Sequence, residues 1–244
     1  MTELVTRHDQ DAVATLTLQR PEVLNALSPA LFVELRAHLE QLAAATDTVA
    51  AVVLRGAGRA FSAGNDLKAI EAGDRAPSAR YQPETLQLIE SLPQPVIAAV
   101  HGYCYTGALE LALACDYIIA ADSARFADTH GKWAMSPTWG MSQRLPRRIG
   151  IARAREMMYT GRVVSGSEAA AIGLAVRCVP DDEFDAAVAE SAGAIAANSW
   201  FTSRADKMLT AQSQEHFLHA GLDYEGTNSP GAGPDMRERL SARK

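Results

Sequence analysis

The chain has 244 residues, of which 48% are hydrophobic and 21% charged, and this globular composition excludes a disordered or fibrous protein. Its length suits one core with an appendage, and its net charge of −6 disfavours binding to nucleic-acid phosphates. No apolar run approaches the ~18 to 20 residues that cross a bilayer, and the first ten residues lack a secretory pattern, so we expect a cytoplasmic protein without a membrane span.

Strands and helices are predicted to alternate from the start of the chain. In residues 12–18, apolar side chains alternate along the chain at Ala14, Leu16 and Leu18, and this period of two predicts a strand. Ser28 and Pro29 then favour a helix N-cap and first turn, and leucines at helical spacing extend this helix to about residue 45. The valine-rich segment 50–55 predicts a buried strand. This β-α-β order indicates an α/β protein.

The same alternation continues to the end of the chain. The predicted elements are a helix at 83–92, a strand at 95–100, a helix at 107–115, a strand at 117–121, helices at 150–160 and 167–172, an extended segment at 175–179, a helix at 183–197, and a helix-prone tail from 199 with a loop at 228–234 and a short helix at 235–243.

Cysteines and histidines predict neither disulfides nor a metal site. Cys104, Cys115 and Cys178 are odd in number, lack C-x-x-C spacing and have apolar neighbours, which is typical of reduced thiols in a core. His216 and His219 lie on a polar helix without the further ligands that a metal requires.

Two glycine-bearing turns, at 56–67 and 101–116, each follow a strand and can present backbone N–H groups to an oxygen. The second turn enters a helix at Gly107, and Glu110 lies one turn further among apolar residues. Burial there would raise the pKa of Glu110 while the helix N-terminus opposes the rise, a setting that suits proton transfer. The alternative is that Gly107 only permits close packing and that Glu110 is a solvated or ion-paired acid of the first turn.

The sequence lacks the motifs of two other enzyme classes. A dinucleotide-dependent oxidoreductase would need a third glycine after Gly56-Ala-Gly58, and Arg59, Ala60 and Phe61 follow instead. A serine hydrolase would need the G-x-S-x-G nucleophile turn, which the sequence does not contain.

Both turns resemble those of the crotonase superfamily, also called the enoyl-CoA hydratase/isomerase family, and the resemblance covers nearly the whole chain. The similar stretches are 20–27, 60–67, 95–116, 137–140 with 144–145, 173–174 with 179–180, and 235–238. The resemblance implies a crotonase-like ββα spiral core over residues 1–195. It also implies a helical oligomerisation region at 196–244 that packs on a neighbouring subunit of a homotrimer or a dimer of trimers.

The resemblance also implies a site for an acyl-CoA thioester. The N–H groups of Ala63 and Gly107 would form an oxyanion hole around the thioester oxygen, so that an enolate is stabilised without a metal or redox cofactor. Coenzyme A is then part of the substrate. Its path would follow Val23, Leu24, Ala60, Asp66 and Leu67.

Family hydratases hold one water between two glutamates, and this sequence keeps only the first of them, at Glu110. The second position is His130, which can give or take a proton near neutral pH but offers one donor and one acceptor when neutral. Asp128 is a possible substitute, and the alternative is that His130 only packs or lines the substrate. Trp133 and Trp139 nearby either narrow an acyl pocket or belong to the core or a subunit contact.

The expected activity is that of an enoyl-CoA hydratase, a lyase that adds water to the 2,3-double bond of an acyl-CoA. An enoyl-CoA isomerase that uses Glu110 alone and a non-catalytic acyl-CoA-binding protein are the alternatives. The pathway stays open between fatty acid metabolism and the degradation of branched or aromatic acids.

Overall fold

The computed structural model describes residues 3–242. The strands are β1 (Val5–Gln10), β2 (Val13–Leu18), β3 (Ala51–Gly56), β4 (Val96–Val100), β5 (Tyr103–Tyr105), β6 (Tyr117–Ala121), β7 (Arg125–Ala127), β8 (Val164–Ser165) and β9 (Arg177–Val179). The helices are α1 (Pro29–Ala44), α2 (Leu67–Ala72), α3 (Tyr81–Ser91), α4 (Gly107–Leu113), α5 (Met141–Ile149), α6 (Ile151–Thr160), α7 (Gly166–Ala171), α8 (Phe184–Ala197), α9 (Trp200–Gln212), α10 (Leu218–Asn228) and α11 (Met236–Ser241). Short 3-10 turns occur at Pro21–Val23 and His130–Trp133.

A six-stranded sheet in the order β1-β2-β3-β4-β6-β9 forms the centre of the protein. Its first pair, β1 and β2, is antiparallel, and each later pair is parallel. All five residues of β4 are buried, because a parallel strand covered on both faces has no side open to water. This sheet and the helices on its faces are the α/β core that the sequence predicts.

A second sheet of three short strands lies in the order β5-β7-β8 and positions the candidate site. Strands β5 and β7 are parallel, with Tyr105 opposite Ala127. The chain therefore leaves both strands at the same edge of the sheet. Helix α4 begins there after β5, and the segment that carries Asp128 and His130 begins there after β7.

Most predicted elements are confirmed within one to three residues. Ser28 caps α1, since its hydroxyl accepts a hydrogen bond from the Leu31 N–H at 3.3 Å, and the predicted leucine face is buried. The sequence interpretation missed β1, β5, β7, β8, α2 and α5. Three of these strands have only two or three residues, β1 carries polar side chains, and α5 contains Pro146 and three arginines.

The C-terminal helices differ in how they contact the core. Helix α8 buries Phe184 and Val188 against the large sheet. On α9, the Lys207 ammonium donates to the Gln94 carbonyl at 3.0 Å and pairs with Asp116 at 2.8 Å. Helices α10 and α11 bury no residue. The division into a core and a C-terminal region at residue 195 stays a prediction. Residues 1–2 of the predicted core and residues 243–244 at the end of the predicted tail lie outside the described residues, and so does the last residue of the helix predicted at 235–243.

The cysteines are not all in the same environment. Cys104 and Cys115 are buried, and burial raises the pKa of both thiols. Cys178 packs against the core as expected, but it is only partly buried and its thiol donates to the Asp122 carboxylate at 3.2 Å. Among residues 3–242, no group of three metal-ligating side chains occurs, and no helix has the length and apolar character to cross a membrane.

Candidate active site

The turn before α4 is tied to the segment that follows β7. The Thr106 N–H donates to the Ala127 carbonyl at 2.8 Å, and the hydroxyls of Thr106 and Thr129 are 2.5 Å apart. Thr106 has a positive φ of 53°, which turns the chain sharply into α4. The next N–H, that of Gly107, has no acceptor within the part of the chain that the structure describes. It is available to an incoming oxygen.

The first glycine turn supplies a different donor from the one predicted. The Ala63 N–H donates to the Leu24 carbonyl at 2.9 Å, so Ala63 as an oxyanion donor is wrong. The Leu27 N–H donates to the Gly64 carbonyl, and the Leu27 carbonyl accepts the N–H of Asp66, so that Leu27 lies opposite Asn65 in a parallel bridge. The N–H of Asn65, between these two hydrogen bonds, is therefore directed away from Leu27. That N–H has no acceptor among residues 3–242.

Gly64 brings this turn against the start of α4. Its φ is 102°, and a Cβ at this position would lie 2.5 Å from the Tyr105 carbonyl oxygen and 3.6 Å from the Gly107 nitrogen. Only glycine permits both the backbone conformation and the close approach. Asn65 follows directly, so the unpaired N–H groups of Asn65 and Gly107 belong to adjoining backbone segments, as an oxyanion hole requires.

Glu110 lies inside the core with one carboxylate oxygen anchored by backbone. Its relative exposure is 1%, and its Oε1 accepts hydrogen bonds from the N–H groups of Trp139 at 3.0 Å and Met141 at 2.9 Å. Burial raises the pKa of Glu110, and the two N–H groups and His130 only partly oppose this rise. The predicted direction is confirmed, but the opposing donors are Trp139, just before α5, and Met141, its first residue, and not the N-terminus of α4.

His130 faces Glu110 from the 3-10 turn after β7. Its Nε2 is 3.9 Å from Glu110 Oε2, and its Nδ1 is 2.6 Å from Asp128 Oδ1. Burial lowers the pKa of His130, but the hydrogen bond to Asp128 and the charges of Asp128 and Glu110 outweigh burial and raise it. The structure thus brings together both side chains that the sequence interpretation named for proton transfer.

Comparison with known proteins identifies the family. The family model described as enoyl-CoA hydratase/isomerase matches residues 8–229. The chain belongs to the enoyl-CoA hydratase/isomerase family. It is 35% identical to the probable enoyl-CoA hydratase echA8 of Mycobacterium tuberculosis over 94% of this chain and 90% of the relative. It is 36% identical to 2,3-dehydroadipyl-CoA hydratase of Escherichia coli over 92% of this chain and 88% of that one.

Solved structures of enoyl-CoA hydratases and isomerases share this fold. The enoyl-CoA hydratase of Bacillus anthracis superposes with a TM-score of 0.91 at 36% identity, over 98% of this chain and 95% of that one. A monofunctional enoyl CoA isomerase of Mycobacterium smegmatis has a TM-score of 0.79 at 34% identity, covering 91% and 99%. These matches confirm the predicted crotonase fold with its helical C-terminal region.

Within this family fold, the predicted CoA path is only partly open. Val23 and Asp66 line a cavity of about 790 Å³ beside α1 and α2. Leu24 and Leu67 are partly exposed next to it. Ala60 is fully buried and its carbonyl accepts the Asn25 side-chain amide at 2.8 Å, so contact between Ala60 and a ligand is contradicted.

Asp66 has a structural role at this cavity. Its carboxylate pairs with Arg20 at 2.7 Å and caps α2 through the N–H of Lys68 at 3.1 Å. These donors hold the pKa of Asp66 below its usual value even though burial acts to raise it. The sequence interpretation assigned no binding role to the three cations that line the cavity, Arg20, Lys68 and Arg75. Asp74 also lines the cavity and Arg20 is paired with Asp66, so Lys68 and Arg75 carry the charge that suits the phosphates of a CoA nucleotide.

The two tryptophans lie in different places. Trp139 has 8% exposure, packs edge-on against Phe32 with ring centroids 5.0 Å apart, and presses on Gly107, where a Cβ would lie 2.5 Å from its ring. Trp133 is 56% exposed. Trp139 is therefore a core residue, and it also shapes the site because its own N–H holds Glu110.

Proposed function

We propose that this family member is an enoyl-CoA hydratase that adds water across the 2,3-double bond of an acyl-CoA thioester, or removes it. The observation that carries the proposal is the pairing of Glu110 and His130. One oxygen of Glu110 is anchored by backbone, and the other lies 3.9 Å from His130 Nε2. A water within hydrogen-bond distance of both atoms fits at this separation.

The N–H groups of Asn65 and Gly107 are the proposed oxyanion hole. When an oxygen nucleophile adds to the β-carbon, negative charge moves through the conjugated system to the thioester oxygen, where two fixed donors stabilise it. Removing one such donor costs about 2.7–4 kcal/mol of transition-state stabilisation in other enzymes. Backbone donors held by Gly64 need no reorganisation as the charge develops.

The protons balance within the pair. Glu110 Oε2 takes a proton from the water as the water oxygen bonds to the β-carbon, and the π electrons form an enolate. The protonated His130 then delivers the Nε2 proton to the α-carbon. Glu110 returns its proton to His130 through a water that bridges the 3.9 Å between Oε2 and Nε2, so both side chains recover their starting states and one water has been added to the substrate. The chemistry requires no cofactor beyond the CoA of the substrate.

An isomerase is the second candidate, because the solved isomerase of M. smegmatis shares the fold at 34% identity. In that case Glu110 alone would remove and return a proton on the acyl chain. A non-catalytic acyl-CoA-binding protein is the third candidate, since His130 stands where family hydratases carry their second glutamate.

Three thioesters separate these functions in one set of assays. A hydratase consumes crotonyl-CoA with loss of the conjugated-thioester absorbance, whereas an isomerase generates that absorbance from an unconjugated but-3-enoyl-CoA. A binding protein does neither but binds butyryl-CoA in calorimetric titration. Glu110→Gln protein, purified in parallel, tests whether turnover requires this carboxylate. Hydration of crotonyl-CoA that persists in Glu110→Gln would contradict the proposed mechanism.

We also propose a homotrimer or a dimer of trimers, assembled through the C-terminal helices. Three apolar residues of the α10 region support this assembly, since Phe217, Leu218 and Leu222 are 94%, 80% and 56% exposed. Apolar surface of this kind is typical of a subunit contact. Light scattering on the purified protein measures the mass, and a monomer at micromolar concentration would contradict the proposal.

A further inference from the structure

Asp128 is buried at the site and is bonded to His130 in two ways. Its relative exposure is 1%. The same oxygen, Oδ1, accepts the backbone N–H of His130 at 3.0 Å and lies 2.6 Å from the ring Nδ1. The first contact fixes the turn that carries the imidazole, and the second fixes the ring within that turn. The two residues therefore form a rigid unit at the end of β7.

The contact decides which nitrogen of His130 carries the proton when the ring is neutral. An ionised carboxylate only accepts hydrogen bonds, so Nδ1 must be the donor. Nε2 is then the nitrogen that exchanges its proton, and it is also the nitrogen 3.9 Å from Glu110 Oε2. With the opposite tautomer, Nδ1 would direct a lone pair at the carboxylate and Nε2 could not accept a proton from Glu110.

We propose that Asp128 is a positioning residue that holds His130 with Nδ1 protonated and Nε2 directed at Glu110, so that an aspartate–histidine pair serves where a second carboxylate would otherwise act. This inference rests on the proposed hydratase function for its chemical meaning. The geometry of the pair itself can be tested without any turnover.

The charges around the ring agree with this role. Asp128 and Glu110 are the charged groups that act on His130, one at each nitrogen, and both favour the imidazolium. A proton donor at Nε2 is thus stabilised inside a site that otherwise disfavours charge. The hydrogen bond to Asp128 also keeps the ring in place after Nε2 has given up its proton.

Asp128→Asn is the primary test, because asparagine has nearly the same shape but no charge. We expect kcat for crotonyl-CoA to fall about 10- to 100-fold, as when an orienting partner of a catalytic histidine is lost, with little change in KM. The alkaline limb of the kcat profile should move to lower pH, since the imidazolium has lost a stabilising charge. Asp122→Asn, directly after β6, is the control substitution of the same type and should leave both quantities unchanged.

A double-mutant cycle separates positioning from a general structural effect. If Asp128 acts through His130, Asp128→Asn should cost nothing further in a His130→Gln background. Losses that multiply in the double variant would overturn the proposal. The proposal would also be overturned if Asp128→Asn lowered the free energy of unfolding by as much as it raised the activation free energy for kcat, and the pH profile of kcat did not move.

Nitrogen NMR of protein with 15N-labelled histidine gives a readout that does not depend on activity. The chain has six histidines, and His130→Gln identifies the signals of His130. Above its pKa, His130 should show a protonated Nδ1 and an unprotonated Nε2, and Asp128→Asn should lower the pKa and mix the tautomers. A wild-type His130 with its proton on Nε2 would overturn the positioning role, whereas inactivity with the expected tautomer would count against the hydratase function alone.

Discussion

Glu110 and His130 face each other across 3.9 Å, but the protein holds them by different means. Glu110 is anchored by two backbone N–H groups, and its helix is surrounded by apolar core. His130 lies on a short 3-10 turn and is held by the side chain of Asp128. A backbone N–H donor is kept when most other residues replace its own residue, whereas a side-chain partner such as Asp128 is lost with a single substitution. The Glu110 half of the site should therefore tolerate changes around it better than the His130 half.

The largest expected effect is loss of the Glu110 carboxylate. Glu110→Gln should lower kcat for crotonyl-CoA about 1000-fold or more, because the amide cannot take the proton of the water. The Gln side-chain oxygen can still accept the N–H groups of Trp139 and Met141, so we expect an unchanged fold and near-normal butyryl-CoA affinity by calorimetry. A loss of affinity that matches the loss of kcat would indicate that Glu110 holds the site together.

The two halves also differ in how far they could be predicted. Glu110 was predictable as a buried acid, since its helix α4 is apolar on both sides of it. Its anchoring donors were not, because Trp139 and Met141 lie 29 and 31 residues further along the chain. His130 and Asp128 are only two residues apart in the sequence. The direction of the Asp128 side chain nevertheless depends on β7, which has only three residues and is too short to show an alternation of buried and exposed side chains.

The same reason accounts for the errors at the oxyanion hole and in the fold. Long elements such as α1 and β4 have a periodic pattern that reports burial. Whether Ala63 or Asn65 is the oxyanion donor depends on backbone hydrogen bonds to another loop. The Leu24 carbonyl accepts the N–H of Ala63, whereas the bridge to Leu27 leaves the N–H of Asn65 unpaired among the described residues. Backbone hydrogen bonds between distant loops have no signature in side-chain identity, so the structure was needed to assign them.

Loss of the imidazole should have the second-largest effect and should change the pH profile. We expect His130→Gln to lower kcat about 100-fold. In the wild type, activity requires ionised Glu110 and is lost as pH falls through its raised pKa, and it requires protonated His130 and is lost as pH rises through its raised pKa. His130→Gln should retain the acid limb of kcat/KM and lose the alkaline limb. An alkaline limb that stays in place would assign it to another group.

Crowding of Gly107 should affect the Glu110 half more weakly. In Gly107→Ala the new Cβ would lie 2.5 Å from the Trp139 ring, so the ring must move, and the Trp139 N–H that holds Glu110 moves with it. We expect a loss of about 1–3 kcal/mol in the free energy of unfolding by urea denaturation and about tenfold in kcat.

Two further variants test this explanation for Gly107. The smaller ring of Trp139→Phe should restore part of the activity of Gly107→Ala when both changes are combined. Gly193→Ala, on α8 with open space at its Cβ, should leave kcat unchanged and stabilise the fold by about 0.5–1 kcal/mol. Failure of Trp139→Phe to restore any activity would show that the added methyl group blocks the substrate directly.

The smallest expected effect concerns the link between the two halves. Thr129→Val removes a hydroxyl 2.5 Å from that of Thr106 but keeps the shape of the side chain. We expect a loss of about 0.5–1.5 kcal/mol in unfolding free energy. A several-fold fall in kcat should accompany it, because the turn before α4 and the His130 segment are then less firmly joined. Thr85→Val, at a buried position of α3, removes a hydroxyl that donates to the Tyr81 carbonyl at 2.7 Å and should cost similar stability with unchanged kcat. Equal kcat values for the two variants would mean that strands β5 and β7 alone fix the spacing of Glu110 and His130.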